Sequence, residues 1–264
     1  MQLTPARFLA THRVFTRREL IESLTHSGGR SSNAVQSSLE VWLREGRVRS
    51  VKRGVFVRSD LRLERSDFLA LGARLAEDAV LAYSSALELH GLARSHHEDV
   101  TFVTRTSVRP LVFEERQFEP IRPRAGVARA RDASRWVRSM DRGPYELRVT
   151  TRERTIVDCL DRLELAGGIE EVWRSCSAVE ALEHDRVLEY VRLLGIDVLA
   201  AKVGYFLETH REHLLVPDRV LAALEELRPK RRAYMVRGRS GKLAKRWNLL
   251  VPEALIQEEW NGHG

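Results

Sequence analysis

The stretch HREH sets His210 and His213 three residues apart around Glu212, and His96 and His97 stand side by side. Imidazoles and a carboxylate can hold a divalent metal, but a zinc-protease helix needs His-Glu-x-x-His, so that both rings and the general base share one face. Here the acid is misplaced and no third ligand follows at a telling distance, so no metal is expected. A metal-dependent nuclease needs an Asp at a strand start and Glu-x-Lys on the next strand, the carboxylates for magnesium and the Lys to steady the attacking water. Asp99 precedes VTFVT, yet Glu-x-Lys occurs nowhere. RERTIVD brings Arg152, Glu153, Arg154 and Asp158 together, a spacing that reads as a helix N-terminus whose ion pairs fix a core. His90, in LHGL, reads as a buried ring with one nitrogen on a neighbouring carbonyl. No phosphate-binding GxxxxGK[ST], dinucleotide-binding GxGxxG or nucleophile-elbow GxSxG is present. The expectation is a protein with no catalytic residue and no cofactor, and hence not an enzyme.

A different chemistry is legible in the first sixty residues. Thr16 stands three residues before Glu19, the spacing of a capping box, and opens a helix over about Arg17 to Thr25 that Gly28 and Gly29 let turn away. Ser32 or Asn33 is the expected N-cap of a second helix. Its apolar face is Val35, Leu39, Trp42 and Leu43, and Gly46 stops it. The opposite face carries Asn33, Gln36, Ser37, Glu40 and Arg44. Short neutral hydrogen-bonding groups at the start of such a helix suit the major groove, where Asn and Gln match the edge of adenine and Ser can contact either base of a pair. After Gly46, Arg47 and Arg49 alternate with Val48, the tip is Lys52-Arg53-Gly54, and Val55 and Val57 return. A hairpin of that kind packs one face on the helices and offers guanidinium groups to backbone phosphates with the other. The predicted DNA-contacting set is therefore Arg17, Arg18, Arg30, Ser32, Asn33, Gln36, Ser37, Arg47, Arg49, Lys52 and Arg53, on a winged helix-turn-helix.

The net charge of +7 is unevenly placed. Residues 1–60 carry 11 Lys/Arg against 5 Asp/Glu, residues 61–227 carry 24 against 29, and residues 228–246 carry nine basic groups and no acid. Two basic ends flank an acidic middle, which points to anionic partners at one or both ends. Arg231, Arg232, Arg237, Arg239, Lys242, Lys245 and Arg246 form a second candidate anion-binding patch, open to DNA, RNA or an acidic protein.

A length of 264 residues favours two domains. The expected division is residues 1–62, the winged helix, and residues 63–264, a larger mixed α/β domain, giving an α+β fold class overall. In the second part, a helix is expected over about Ser66 to Glu77, a short helix over Ser84 to Leu92 and a strand in EDVTFVT. FEPIR and YELRVT read as strands within a stretch, Ser107 to Ala133 and beyond, that otherwise shows no period. A run of amphipathic helices follows from Thr151, and the chain ends in two short strands around a Gly-containing turn. No apolar run reaches the length of a membrane span, and the N-terminus lacks a signal core. Cys159 and Cys176 stand in amphipathic stretches without ligand spacing. A cytoplasmic protein with reduced core thiols is expected.

The order of GRVRSVKRGVFV, LAYSSALELHGL, VTTRERTIVDCLDRLELAGGIEEV, KVGYFLE and RWNLLVP resembles the AbiEi antitoxin family, transcriptional regulators of abortive-infection, type IV toxin–antitoxin systems. The resemblance covers most of the chain, with SALxLHGL and ERTIVDCL its most specific blocks, and it leaves Ser107 to Ala133 unmatched. It implies a DNA-binding N-terminal domain that represses its own operon through inverted repeats in the promoter. It also implies a C-terminal domain that counteracts a nucleotidyltransferase-like toxin, direct contact not being required. The rival readings are a plain winged-helix regulator whose C-terminal domain senses a ligand or dimerises, and a defence-associated nuclease.

Overall fold

The computed structural model describes residues 3–256. The fold is α+β, built as two compact units that are each discontinuous in sequence. The first comprises Met1–Leu81, Glu98–Arg122 and Ser139–Val149, and the second Ala82–His97, Pro123–Arg138 and Thr150–Gly264.

The first unit begins with α1 (Pro5–Thr11), β1 (Val14–Thr16), α2 (Arg17–His26), α3 (Ser32–Arg44), β2 (Val48–Lys52) and β3 (Val55–Arg58). The capping box forms: Thr16 Oγ1 accepts from the Glu19 amide, and Glu19 accepts from the Thr16 amide at 2.6 Å. The cap of α3 is Ser31, whose hydroxyl accepts from the Ala34 amide, so Ser32 and Asn33, the expected caps, lie inside the first helical turn. The wing is a three-stranded antiparallel sheet in the order β1-β3-β2, because Val14 to Thr16 add a strand that the sequence pattern did not reveal. Phe8, Phe15, Leu20, Leu24, Val35, Leu39, Trp42 and Phe56 close one core beneath it. Leu43, expected on the buried face of α3, is exposed.

The same unit continues through α4 (Arg65–Gly72) into a six-stranded mixed sheet. Its strands are β4 (Val80–Leu81), β5 (Val100–Val103), β6 (Leu111–Phe113), β7 (Arg116–Ile121), β8 (Val137–Arg142) and β9 (Tyr145–Thr150), in the order β6-β7-β5-β4-β9-β8. β5 runs parallel to β7 and β4 parallel to β9, while β4 pairs antiparallel with β5 and β6 with β7. Helix α4 stops five residues before its expected end. Beyond it Asp78 turns inward to accept from Thr104 Oγ1, the Arg105 amide and Thr106 Oγ1, which fixes the approach to β4. The winged helix is tied into this unit by polar contacts. Buried Asp67 accepts from the Tyr145 hydroxyl at 2.6 Å and lies 3.2 Å from Arg13 Nε, and Arg74 pairs with Glu19 at 2.8 Å.

The second unit is mostly helical: α5 (Ser84–Leu89), α6 (Ala125–Arg129), α7 (Arg152–Asp161), α8 (Ile169–Ser177), α9 (His184–Leu194), α10 (Asp197–Thr209), α11 (Arg211–Leu214) and α12 (Asp218–Glu226). Inside α7, Arg154 and Asp158 form an ion pair at 3.0 Å, both fully enclosed, and the Tyr190 hydroxyl donates to Asp158 at 2.8 Å. Burial pushes the Asp158 carboxyl up, against the pull of Arg154 and Tyr190. His90 donates through Nε2 to the Thr150 carbonyl, 2.8 Å away. The unit ends in a three-stranded sheet, β10 (Ala233–Tyr234), β11 (Lys242–Ala244) and β12 (Leu249–Val251), ordered β10-β12-β11. The third strand, not expected from the sequence, is central: it runs parallel to β10 and antiparallel to β11. Trp247 sits over Gly204 of α10, where an added Cβ would lie 2.1 Å from the indole, and its Nε1 donates to Glu208.

Glu171 of α8 anchors the loop after α5. Its carboxylate accepts from the amides of Arg94 and Ser95 and from the hydroxyls of Ser95 and Ser175. Burial alone would raise this carboxyl, but the four donors outweigh it and bring the group from its ordinary 4.5 down to about 2. A depressed carboxylate stabilises fully above its unfolded value, and that contribution is lost as pH falls from about 4.5 toward about 2. Glu171→Gln is expected to lower stability by about 2 to 3 kcal/mol at neutral pH. In urea melts the gap between wild type and variant should narrow from pH 5 to pH 3, and a gap unchanged over that range would show that the charge is immaterial.

Candidate nucleic-acid interface

Helix α3 turns Val35, Leu39 and Trp42 inward and leaves Ser32, Asn33, Ser37, Glu40 and Arg44 exposed. Gln36 is partly exposed and donates through Nε2 to Glu40 at 3.0 Å, so the carboxylate is engaged along the helix and the amide oxygen stays free. Ser32, Asn33, Gln36 and Ser37 share the N-terminal end of the helix, with Glu40 and Arg44 farther along, an arrangement that suits hydrogen-bond reading of base edges. Residue 54 closes the wing with φ of 82°, a conformation that favours glycine. Its carbonyl accepts from the Arg17 amide at 2.8 Å, which seats the wing turn against the start of α2.

The cations expected to grip phosphate separate into two groups. Arg18 pairs with Glu22 at 2.9 Å and with Glu77; Arg47 stands 3.7 Å from Glu45; Lys52 Nζ donates to the Leu75 carbonyl at 3.0 Å. Arg49 pairs with Glu114 at 2.5 Å and lies over the Phe113 ring. Glu114 reaches it from the β6–β7 turn, where Glu114 and Glu115 both have positive φ. Among the described residues, the exposed side chains of Arg17, Arg30, Arg44 and Arg53 have no such partner. Arg44, outside the predicted contact set, belongs with the free group. Half of the predicted wing charge is thus neutralised within the unit, and no local feature of the sequence links residue 49 to residue 114.

The basic C-terminal segment sorts the same way. Arg246 is clamped between Glu208 at 2.6 Å and Glu225 at 2.8 Å, and Arg239 pairs with Glu170 at 2.6 Å, so both act inside the fold. Arg231, Arg232, Arg237, Lys242 and Lys245 are exposed and unpaired among the described residues. The histidines of HREH are also committed: His210 contacts the Phe206 carbonyl and the Ser177 hydroxyl, and His213 the Val179 carbonyl. Among the described residues no group of three His, Cys, Asp or Glu is placed to hold a metal ion, and no helix is long and apolar enough to cross a membrane.

An unpaired exposed guanidinium releases counterions when it meets a phosphate; one already bound to a carboxylate has less to release. Arg53→Ala should therefore reduce the slope of log affinity against log salt for duplex DNA by about one, and Arg49→Ala by clearly less. Equal slopes for wild type and Arg53→Ala would remove the wing tip from the interface.

No protein-family model and no curated protein sequence matches the chain. Among solved structures, the crystal structure of the Rv2827c protein from Mycobacterium tuberculosis superposes with a TM-score of 0.58, at 16% sequence identity, over 98% of this chain and 96% of that one. At that identity the likeness extends to the fold alone, and this chain is similar in fold to the Rv2827c protein along nearly its whole length.

Proposed function

We propose that this protein is a sequence-specific, non-enzymatic DNA-binding repressor that acts as the antitoxin of a type IV toxin–antitoxin system, controlling its own promoter and counteracting a nucleotidyltransferase-like toxin. The observation that carries the DNA-binding half is the exposed start of α3, where Ser32, Asn33, Gln36 and Ser37 stand in one polar surface on an element whose neighbours supply the unpaired cations Arg17, Arg30 and Arg53. The neutral groups would read base edges, and the cations would set the register on the backbone. The antitoxin half rests on the resemblance to the AbiEi family carried by SALxLHGL and ERTIVDCL, whose residues build α5 and the enclosed core of α7.

Promoter DNA from upstream of the gene, containing its inverted repeats, should bind at least about 1,000-fold more tightly than random duplex at about 150 mM salt. Binding no tighter than to random duplex would refute the repressor. Asn33→Ala and Gln36→Ala should each cost about 1 to 3 kcal/mol against the cognate sequence and little against random DNA. Co-expressed with the product of the adjacent gene, wild type and both variants should relieve its toxicity equally. Relief by wild type alone would tie protection to DNA binding, and relief by none would refute the antitoxin.

A further inference from the structure

In the second unit a groove of about 390 Å³ opens at the start of α7, and four arginines line it: Arg135, Arg138, Arg152 and Arg186. Two acids share the lining, Glu153, itself buried, and Glu183. The arginines are positioned rather than loose. Arg135 and Arg186 both lie over the ring of buried Trp136, at 5.1 and 5.4 Å from its centre, and Arg186 donates to the Arg135 carbonyl. Arg135 pairs with Glu189 at 2.6 Å, and Arg186 stands 3.6 Å from Glu183.

Arg152 and Arg138 differ from that pair. Arg152 gives one guanidinium nitrogen to the Ala181 carbonyl, while its Nε is buried with no hydrogen-bond partner, which is a costly state for a charged donor. Arg138 is exposed and has no carboxylate partner among the described residues. The groove therefore concentrates uncompensated positive charge within a stretch of sequence that is acidic overall. The groove lies at the N-terminal end of α7, whose dipole adds to the field. His90 lies within reach of the same charges: burial is the main cause that disfavours its protonated form, and Arg152 and Arg138 add to it against the Thr150 carbonyl and Glu153.

We infer that this groove binds a compact polyphosphate anion, with Arg138 and Arg152 as its principal ligands and Arg135 and Arg186 as the pre-set walls. Forked guanidinium donors suit phosphate oxygens bidentately. The volume suits a chain of two or three phosphates, and the lining offers no exposed aromatic face on which a base would stack. The site lies apart in sequence from the residues assigned to DNA and does not depend on that reading.

The test is calorimetric titration of the full-length protein with inorganic tripolyphosphate and, separately, with ATP, without divalent metal and at low salt. Saturable one-to-one binding of tripolyphosphate is expected, with affinity reduced at least tenfold in Arg138→Ala and in Arg152→Ala and unchanged in Arg53→Ala. Among the described residues the Arg138 side chain makes no hydrogen bond or ion pair, so its variant keeps the test valid should Arg152→Ala unfold. ATP binding as tightly as tripolyphosphate identifies the phosphate chain as the recognised group, and tighter ATP binding identifies a nucleotide; both support the site. Absence of saturable binding, an unchanged affinity in Arg138→Ala, or an equal loss in Arg53→Ala would overturn it.

Discussion

The placement of the polar face of α3 depends on one carboxylate. Glu19 accepts from the amide and hydroxyl of Thr16, which starts α2 at a fixed residue, and it also receives Arg74 from beyond α4. Burial would raise this carboxyl, but the guanidinium of Arg74 and the Thr16 donors leave it below the ordinary range. Because the next residue after the cap, Arg17, donates its amide to the wing turn at Gly54, the same short segment locates helix, wing and following helix together. α3 and its polar face are then carried by the core packed between α2 and β3. Few of these contacts are strong alone, yet they converge on a single helix end, where small errors in position would displace every side chain downstream.

The sequence was most readable where its information was local. The capping box, the apolar stripe of α3 apart from Leu43, the glycine at the wing tip and the ion pair within α7 all lie within a few residues of their partners, and each takes the place that spacing implied. What could not be read is what distant residues do to one another. β1 exists because Val14, Phe15 and Thr16 find β3, forty residues on, and three residues are too few to show a period. β6 shows no alternation because it is a three-residue edge strand closed by a turn with positive φ, whereas β7, held between β6 and β5, was legible in part as FEPIR. The central strand β12 is likewise defined by two partners and not by its own pattern.

The same limit applies to charge. A sequence reports where basic groups are, but their availability depends on acids that folding brings near. Arg49 and Arg246 look alike in composition to Arg53 and Arg232, yet the first two are spent on Glu114, Glu208 and Glu225. In a chain with 39 arginines implied by 44 basic residues, such pairing is what separates a recognition surface from a merely arginine-rich one. Among the described residues, free groups stand around α2 and α3, along residues 231–245 and in the groove at the start of α7, and also at scattered exposed positions such as Arg109, Arg142 and Arg192, so it is their grouping on one surface that is informative.

The order of the six-stranded sheet has a consequence for how the protein is made. Strand β9 pairs with β4, so a strand completed by residue 81 waits for a partner that leaves the ribosome only after residue 145. The winged helix upstream has its own core and can condense early, but Asp67 remains without the Tyr145 hydroxyl, and β4 keeps an open edge, throughout that interval. Such edges recruit other strands while they wait. The shortness of β4, two residues, limits what a stray chain could gain there. Folding of this protein is thus a race between elongation and self-association, set by the distance along the chain between two paired strands.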